Sequence, residues 1–257
     1  LQRGFHMRVI SFSADGVREA AKRGFYDWAL GQDADFICIQ DLRCSEYDLQ
    51  DDVFFPTDYN AYFFDDINGK ENGVAIYCRE LPKAIMTGLG FADFDMQGRY
   101  IQADYGDISV GCLLVPQASD ASEQESKDDF LDLLGGHLQK VRNKRRKFVL
   151  AGNWQLAVNA RDLQDPATGQ ALSGFLPQEQ AWINELLENG YVDAYRCVSA
   201  QDDAFTFWPR ARDEAGMRSD MQIISEDLRP RVEYGAVYTG TEFSRHAPLI
   251  MDYDLEL

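Results

Sequence analysis

Phe148-Val149-Leu150-Ala151-Gly152-Asn153-Trp154-Gln155 is the stretch on which the reading of this chain turns. Four apolar residues, a glycine and then amides describe a buried β-strand that ends in a tight polar turn. In α/β folds ligands gather at the carboxyl ends of strands, so chemistry is expected just past Gly152. An ordinary polar turn would carry the same eight residues, and the rest of the chain has to decide between the two.

The bulk properties narrow the classes. A chain of 257 residues, 45% of them hydrophobic, has the length and the apolar content for one large core. No Pro/Gly/Ser-rich linker divides it, so a single domain is expected over residues 7–257. Leu1 to His6 precede Met7 and are expected to be an expression remnant. The formal net charge is -18, from 43 acidic and 25 basic residues. Such a field repels polyanions, so tight nucleic-acid binding would need a local basic patch or a partner protein. The cysteines (Cys38, Cys44, Cys78, Cys112, Cys197) are scattered without metal-ligand spacing. Cys38 and Cys112 lie in apolar strand-like runs and read as core thiols of a reducing, cytoplasmic compartment. No apolar run approaches ~18 residues, so no membrane association is expected.

Strands are read at Met7 to Ser11, Phe36 to Gln40, Gly73 to Cys78, Ile101 to Tyr105 and Ser109 to Val115. A second set is read at Asp193 to Arg196, Phe205 to Trp208, Met221 to Ser225, Val232 to Tyr238 and Leu249 to Tyr253. Val17, Ala20, Ala21, Phe25 and Trp28 recur at helical spacing. A helix from about Ser126 to Arg142 turns Phe130, Leu131, Leu134, Leu138 and Val141 inward, and Pro177 opens another through about Glu188. Two strand-rich halves flanked by helices suggest two packed sheets between helical layers.

Several islands share an order with a known group of proteins. Ile10-Ser11-Phe12-Ser13-Ala14-Asp15-Gly16-Val17-Arg18, Cys38-Ile39-Gln40-Asp41, Gly73 through Tyr77, Gly98-Arg99-Tyr100-Ile101 and Gly174-Phe175-Leu176-Pro177 are five of them. Gly152-Asn153-Trp154-Gln155, Arg218 with Asp220, and Ser244-Arg245-His246-Ala247-Pro248 are three more. Together they resemble the exonuclease III-like endonuclease/exonuclease/phosphatase family. That resemblance implies a four-layer α/β/β/α sandwich and a metal-assisted phosphodiester-cleaving cleft, in which carboxylates hold Mg²⁺ and an imidazole works on the phosphate.

At the positions that would carry this chemistry the residues differ from the family pattern. Ser13 stands for an asparagine, Asp41 for a glutamate, and Leu114 for the phenol-bearing tyrosine. Asn153 stands for an aspartate, Gln155 for an asparagine, and Arg245 for the aspartate of a Ser-Asp-His motif. His246 is present, and the loss at 245 suggests a ring without its orienting carboxylate. Asp220 is balanced between a site role and a scaffold ion pair with Arg218. Arg245 is expected to reach a carboxylate such as Asp41 or Asp220. The expectation is a pseudo-nuclease without enzymatic activity, metal or cofactor. This pattern is similar to the branch of the family that controls carbon catabolite repression. It implies a translational repressor acting with the RNA chaperone Hfq, with A-rich mRNA bound only within that complex, and weak self-association. The competing readings are an Mg²⁺-dependent exonuclease III-like DNA phosphodiesterase or AP endonuclease with an altered active site, and a protein-only scaffold.

One feature fits a binding role. Lys140, Arg142, Lys144, Arg145, Arg146 and Lys147 place six cations in eight residues of an acidic chain. They suit either a helix C-terminus, where cations favour the dipole, or a patch for RNA phosphates or an acidic partner. Arg229 and Arg231 are expected on the same side, which lies roughly 15 Å or more from Asn153 at the far end of the strand.

Overall fold

A computed structural model describes residues 6–169 and 172–257; of the expected remnant Leu1 to His6, only His6 falls among the described residues. The strands are β1 (Met7–Ser13), β2 (Phe36–Gln40), β3 (Asn60–Phe64), β4 (Val74–Cys78), β5 (Ala84–Thr87) and β6 (Tyr100–Asp104). They continue with β7 (Ile108–Leu114), β8 (Lys147–Asn153), β9 (Tyr191–Asp193), β10 (Asp220–Ser225), β11 (Val232–Val237) and β12 (Leu249–Tyr253). The helices are α1 (Val17–Lys22), α2 (Phe25–Leu30), α3 (Ala121–Arg142), α4 (Pro166–Gly169), α5 (Pro177–Glu188) and α6 (Ala194–Val198).

Two six-stranded sheets form, in the orders β11-β12-β1-β2-β4-β3 and β5-β6-β7-β8-β10-β9. Their inner faces meet in a core that includes Val9, Cys38 and Ile76 from one sheet and Val110, Cys112, Val149 and Ala151 from the other. Alternate residues face outward onto helices. Ile10, Phe12 and Ile39 pack with Val17, Ala20 and Phe25 on one side, while Leu150 and Ile223 pack with Phe130, Leu134 and Ile183 on the other. The central strands are therefore buried on both faces, which is why they read as unbroken apolar runs rather than alternating ones. The four-layer α/β/β/α sandwich expected from the sequence is the observed architecture.

Several local readings are corrected. The helix expected across residues 17–28 is two helices, because Gly24 takes φ 91 between them. α3 starts earlier than expected, at Ala121, where the Asp120 carboxylate accepts from Glu123 N at 2.8 Å. Residues 194–196 belong to α6 rather than to a strand, and Phe205–Trp208 makes only isolated bridges, Phe207 to Met217 and to His246. β3 and β5, both partly exposed at sheet edges, carry too weak a pattern to have been read.

The parallel pairs β1/β2 and β7/β8 bring strand ends together. Ser13 lies beside Gln40, and Leu114 beside Asn153, which also faces Asp220 across the antiparallel β8/β10 pair. Gly152 is obligatory at this point: a Cβ there would run into the Leu113 carbonyl of the neighbouring strand.

Candidate active site

The site lies where the carboxyl ends of β1, β2, β7 and β8 meet the start of β10 and the 244–248 segment that leads into β12. Backbone turning at the strand ends is tight. Asp15, Asp41, Arg43 and Gln155 all adopt left-handed φ, of 49, 60, 54 and 56. Left-handed non-glycine residues concentrate where surrounding structure holds a strained geometry in place, commonly at functional sites.

His246 is 4% exposed and its Nδ1 lies 2.8 Å from Asp220 Oδ2. The ring stacks on Phe207, centroids 4.6 Å apart, and its Nε2 lies 4.0 Å from Asp15 Oδ1. Burial opposes the charged ring. The Asp220 charge and hydrogen bond, with Asp15 and Asp41 behind them, outweigh burial and raise the imidazole above its ordinary value. The orienting carboxylate thought to be lost is thus present: Asp220 supplies it from the next sheet. Asp220 is not paired with Arg218. That guanidinium is buried between Asp162 (2.7 Å) and Asp193. Asp220 is fixed through its backbone N–H, which donates to Thr206 Oγ1 at 3.0 Å, and its Oδ1 is buried without a hydrogen-bond partner among the described residues.

Asp15 was read only as part of a motif, yet it is the hub of the cleft. Arg245 donates to it from Nε at 2.7 Å, from Nη2 at 3.1 Å and from its backbone N at 3.2 Å. Arg43 Nη2 lies 3.4 Å from Asp15 Oδ1 and 2.8 Å from Asp41 Oδ2. Burial works against ionisation of Asp15, but the Arg245 hydrogen bond and the His246, Arg245 and Arg43 charges hold it below the usual carboxylate range. Asp41 goes the other way: burial raises it, and Arg43 only partly compensates. The expectation that Arg245 would reach Asp41 or Asp220 is corrected, since its partner is Asp15.

Asn153 is buried and donates from Nδ2 to Ser13 Oγ at 3.1 Å, while its Oδ1 accepts from Gln155 N at 3.2 Å. Leu114 and Gln155 line an adjoining cleft of 640 Å³ with Asp41, Arg43, Asp66 and Arg99. Burial pushes the Arg99 guanidinium down to about 10, against the charges of Asp66, Asp41 and Glu71. All eight predicted site positions therefore gather at one end of the sandwich. The signals missed were Asp15 and Arg43, two and three residues beyond the ends of β1 and β2.

The divalent cation implied by the resemblance does not fit this arrangement. Both Asp15 oxygens already accept guanidinium N–H groups, and Asp41 accepts one. Among the described residues no group of three or more His, Cys, Asp or Glu side chains is placed to hold a metal.

The basic run is only partly a free patch. Arg146 donates to Ser109 Oγ and to the carbonyls of Gly106, Tyr105 and Ile108, at 2.6 to 2.9 Å. Lys147 pairs with Asp107 at 2.6 Å, and Arg142 Nη1 donates to Asn189 O at 2.6 Å. Lys140, Lys144 and Arg145 are exposed without an ion pair among the described residues, so the six-cation patch reduces to three. Arg229 and Arg231 follow β10 at the same pole, and Arg231 pairs with Asp254 at 3.3 Å.

Comparison with known proteins agrees with the geometry. A DNA repair nuclease of Danio rerio is 29% identical over 97% of this chain and 83% of its own. An exodeoxyribonuclease of Bacillus subtilis is 25% identical over 95% of this chain and 98% of its own. In fold, the structure of an AP endonuclease from Archaeoglobus fulgidus superposes with a TM-score of 0.87, at 22% identity, over 97% of this chain and 100% of that one. The expectation of a chain without enzymatic activity is corrected by these matches, since the relatives aligned end to end are named nucleases. The paired imidazole and carboxylate, which reading position 245 alone had counted as broken, are consistent with that correction. The sequence pattern of the Endonuclease/Exonuclease/phosphatase family matches residues 11–241, and the chain belongs to that family.

Proposed function

We propose that this protein is a phosphoester hydrolase of the exonuclease III/AP endonuclease type, acting on nucleic-acid phosphodiesters through an altered set of cleft residues. The observation that carries the reading is the His246–Asp220 pair at the strand ends. Asp220 holds Nδ1 and fixes the tautomer, leaving Nε2 as the nitrogen that exchanges a proton in the reaction. The stacked Phe207 ring keeps the imidazole from turning. Arg43 and Arg99 line the 640 Å³ cleft and supply positive charge against a phosphate that enters it, and Arg245 adds charge from its pair with Asp15.

The test is cleavage of abasic-site duplex, 3′-phosphorylated DNA and single-stranded RNA by rigorously purified protein. His246→Ala and Asp220→Asn are carried alongside. Turnover by wild type that falls by about 10² to 10⁴ in His246→Ala is expected. Absence of turnover on every ester, with or without divalent cations, overturns the reading.

A second reading is favoured by the exposed cations Lys140, Lys144 and Arg145 at the opposite pole. There the protein acts in carbon catabolite repression, assembling with Hfq on A-rich mRNA. With a net charge of -18 it should bind such RNA only inside the assembly. Gel-shift of A-rich RNA with and without Hfq tests this, and a Lys144→Glu/Arg145→Glu variant that assembles normally overturns the role of the patch.

A further inference from the structure

Two carboxylates and two guanidiniums run through the cleft as one chain of alternating charge, Arg245–Asp15–Arg43–Asp41. Asp15 receives three N–H groups from Arg245, at 2.7, 3.1 and 3.2 Å, and Arg43 Nη2 bridges Asp15 and Asp41 at 3.4 and 2.8 Å. The two guanidiniums, Arg43 and Arg245, are 40% and 45% exposed, while the carboxylates they grip, Asp41 and Asp15, are only 16% and 12% exposed. The backbone at Asp15, Asp41 and Arg43 is turned into the left-handed region, and Arg245 lies 5.5 Å from the Phe207 ring that also stacks on His246. A divalent cation here would need oxygens free to face it, and the guanidiniums already occupy both Asp15 oxygens and Asp41 Oδ2.

We infer that Arg43 and Arg245 take the place of a divalent cation, so that this cleft receives a phosphate group on guanidinium N–H donors in the absence of metal. Charge supports the assignment. Each arginine neutralises one aspartate, as a cation would, while Arg43 Nε and Nη1 and Arg245 Nη1 donate to no other described residue. Planar guanidinium groups match the oxygens of phosphate. The inference concerns the same cleft as the hydrolase reading, but its test reads ligand occupancy rather than turnover, so either can fail alone.

The experiment titrates the purified protein with Mn²⁺ and follows free Mn²⁺ by electron paramagnetic resonance. Melting is recorded in EDTA, in millimolar Mg²⁺ and in inorganic phosphate at matched ionic strength. Wild type is expected to bind no Mn²⁺ up to about 1 mM, to melt alike in EDTA and Mg²⁺, and to melt higher in phosphate. The phosphate shift should vanish in Arg43→Gln/Arg245→Gln. Arg245→Asp sets a third carboxylate beside Asp15 and Asp41 and should bind Mn²⁺ roughly tenfold or more tightly than wild type. Wild-type Mn²⁺ binding that Asp15→Asn abolishes overturns the inference. So does a melting point that is unmoved by phosphate, or a folded Arg245→Asp that gains no cation. If Arg245→Asp does not fold, the wild-type titration decides.

Discussion

At His246 the surroundings of the ring fix the sign of a pH dependence. Its folded value is raised by Asp220, Asp15 and Asp41 over the opposing burial, so the native state favours the imidazolium. That stabilisation is complete below the unfolded value of about 6.5 and drains away as pH climbs through the higher folded one, by at most about 1.4 kcal/mol per pH unit. Urea denaturation from about pH 6 to about pH 8 should show this loss, and His246→Gln should flatten it. His137 is lowered by burial and by Lys144 and Lys140, so its penalty appears only as pH falls below its unfolded value, and His137→Gln should leave the alkaline slope in place. Lys127 and Glu179 are 1% and 0% exposed and pair directly, while Lys127 Nζ also donates to the Gln155 carbonyl at 2.5 Å. Lys127→Met would leave Glu179 buried and uncompensated, costing about 3–5 kcal/mol in the same assay. Residue identities in the cleft were legible in the sequence, but their partners were not. Nothing in sequence spacing says that Arg245 reaches Asp15 across 230 positions.

Among elements, the junction of α3 and β8 shows how one run of cations divides into two kinds. Arg146 is sewn to four acceptors in the β6–β7 region, so Arg146→Ala should cost about 2 kcal/mol. Lys144→Glu and Arg145→Glu, on exposed residues, should each stay within about 0.5 kcal/mol. Thermal denaturation of the three variants separates the two kinds, and equal losses would show the division to be false. Gly98 gives a sharper case. It has φ 61, and an added Cβ would sit 2.5 Å from the Phe64 carbonyl, so Gly98→Ala should destabilise by roughly 2 kcal/mol or more. Central strands such as β2 and β8 could be read because burial on both faces leaves unmistakable apolar runs. The edge strands β3 and β5 could not, because half-exposed positions accept almost any residue.

Across the whole molecule the two sheets share a single interior, with side chains from both halves of the chain in contact. Neither half can bury its inner face alone, so calorimetry should show one cooperative transition rather than two. Two resolved peaks would contradict this.

Arg218 adds a consequence in time rather than in energy. It is 2% exposed and ties the 160–162 turn, through Asp162, to the end of β9, through Asp193. Its own backbone N–H donates to the Asp162 carbonyl at 2.8 Å. No small fluctuation can release that knot without undressing several charges at once. Its amide should then exchange with solvent deuterium only when the entire chain opens, while the amides of 143–145 trade protons through local fraying. The wall that carries Asp220 thus keeps the clock of global unfolding, and the exposed cations at the far pole keep a much faster one.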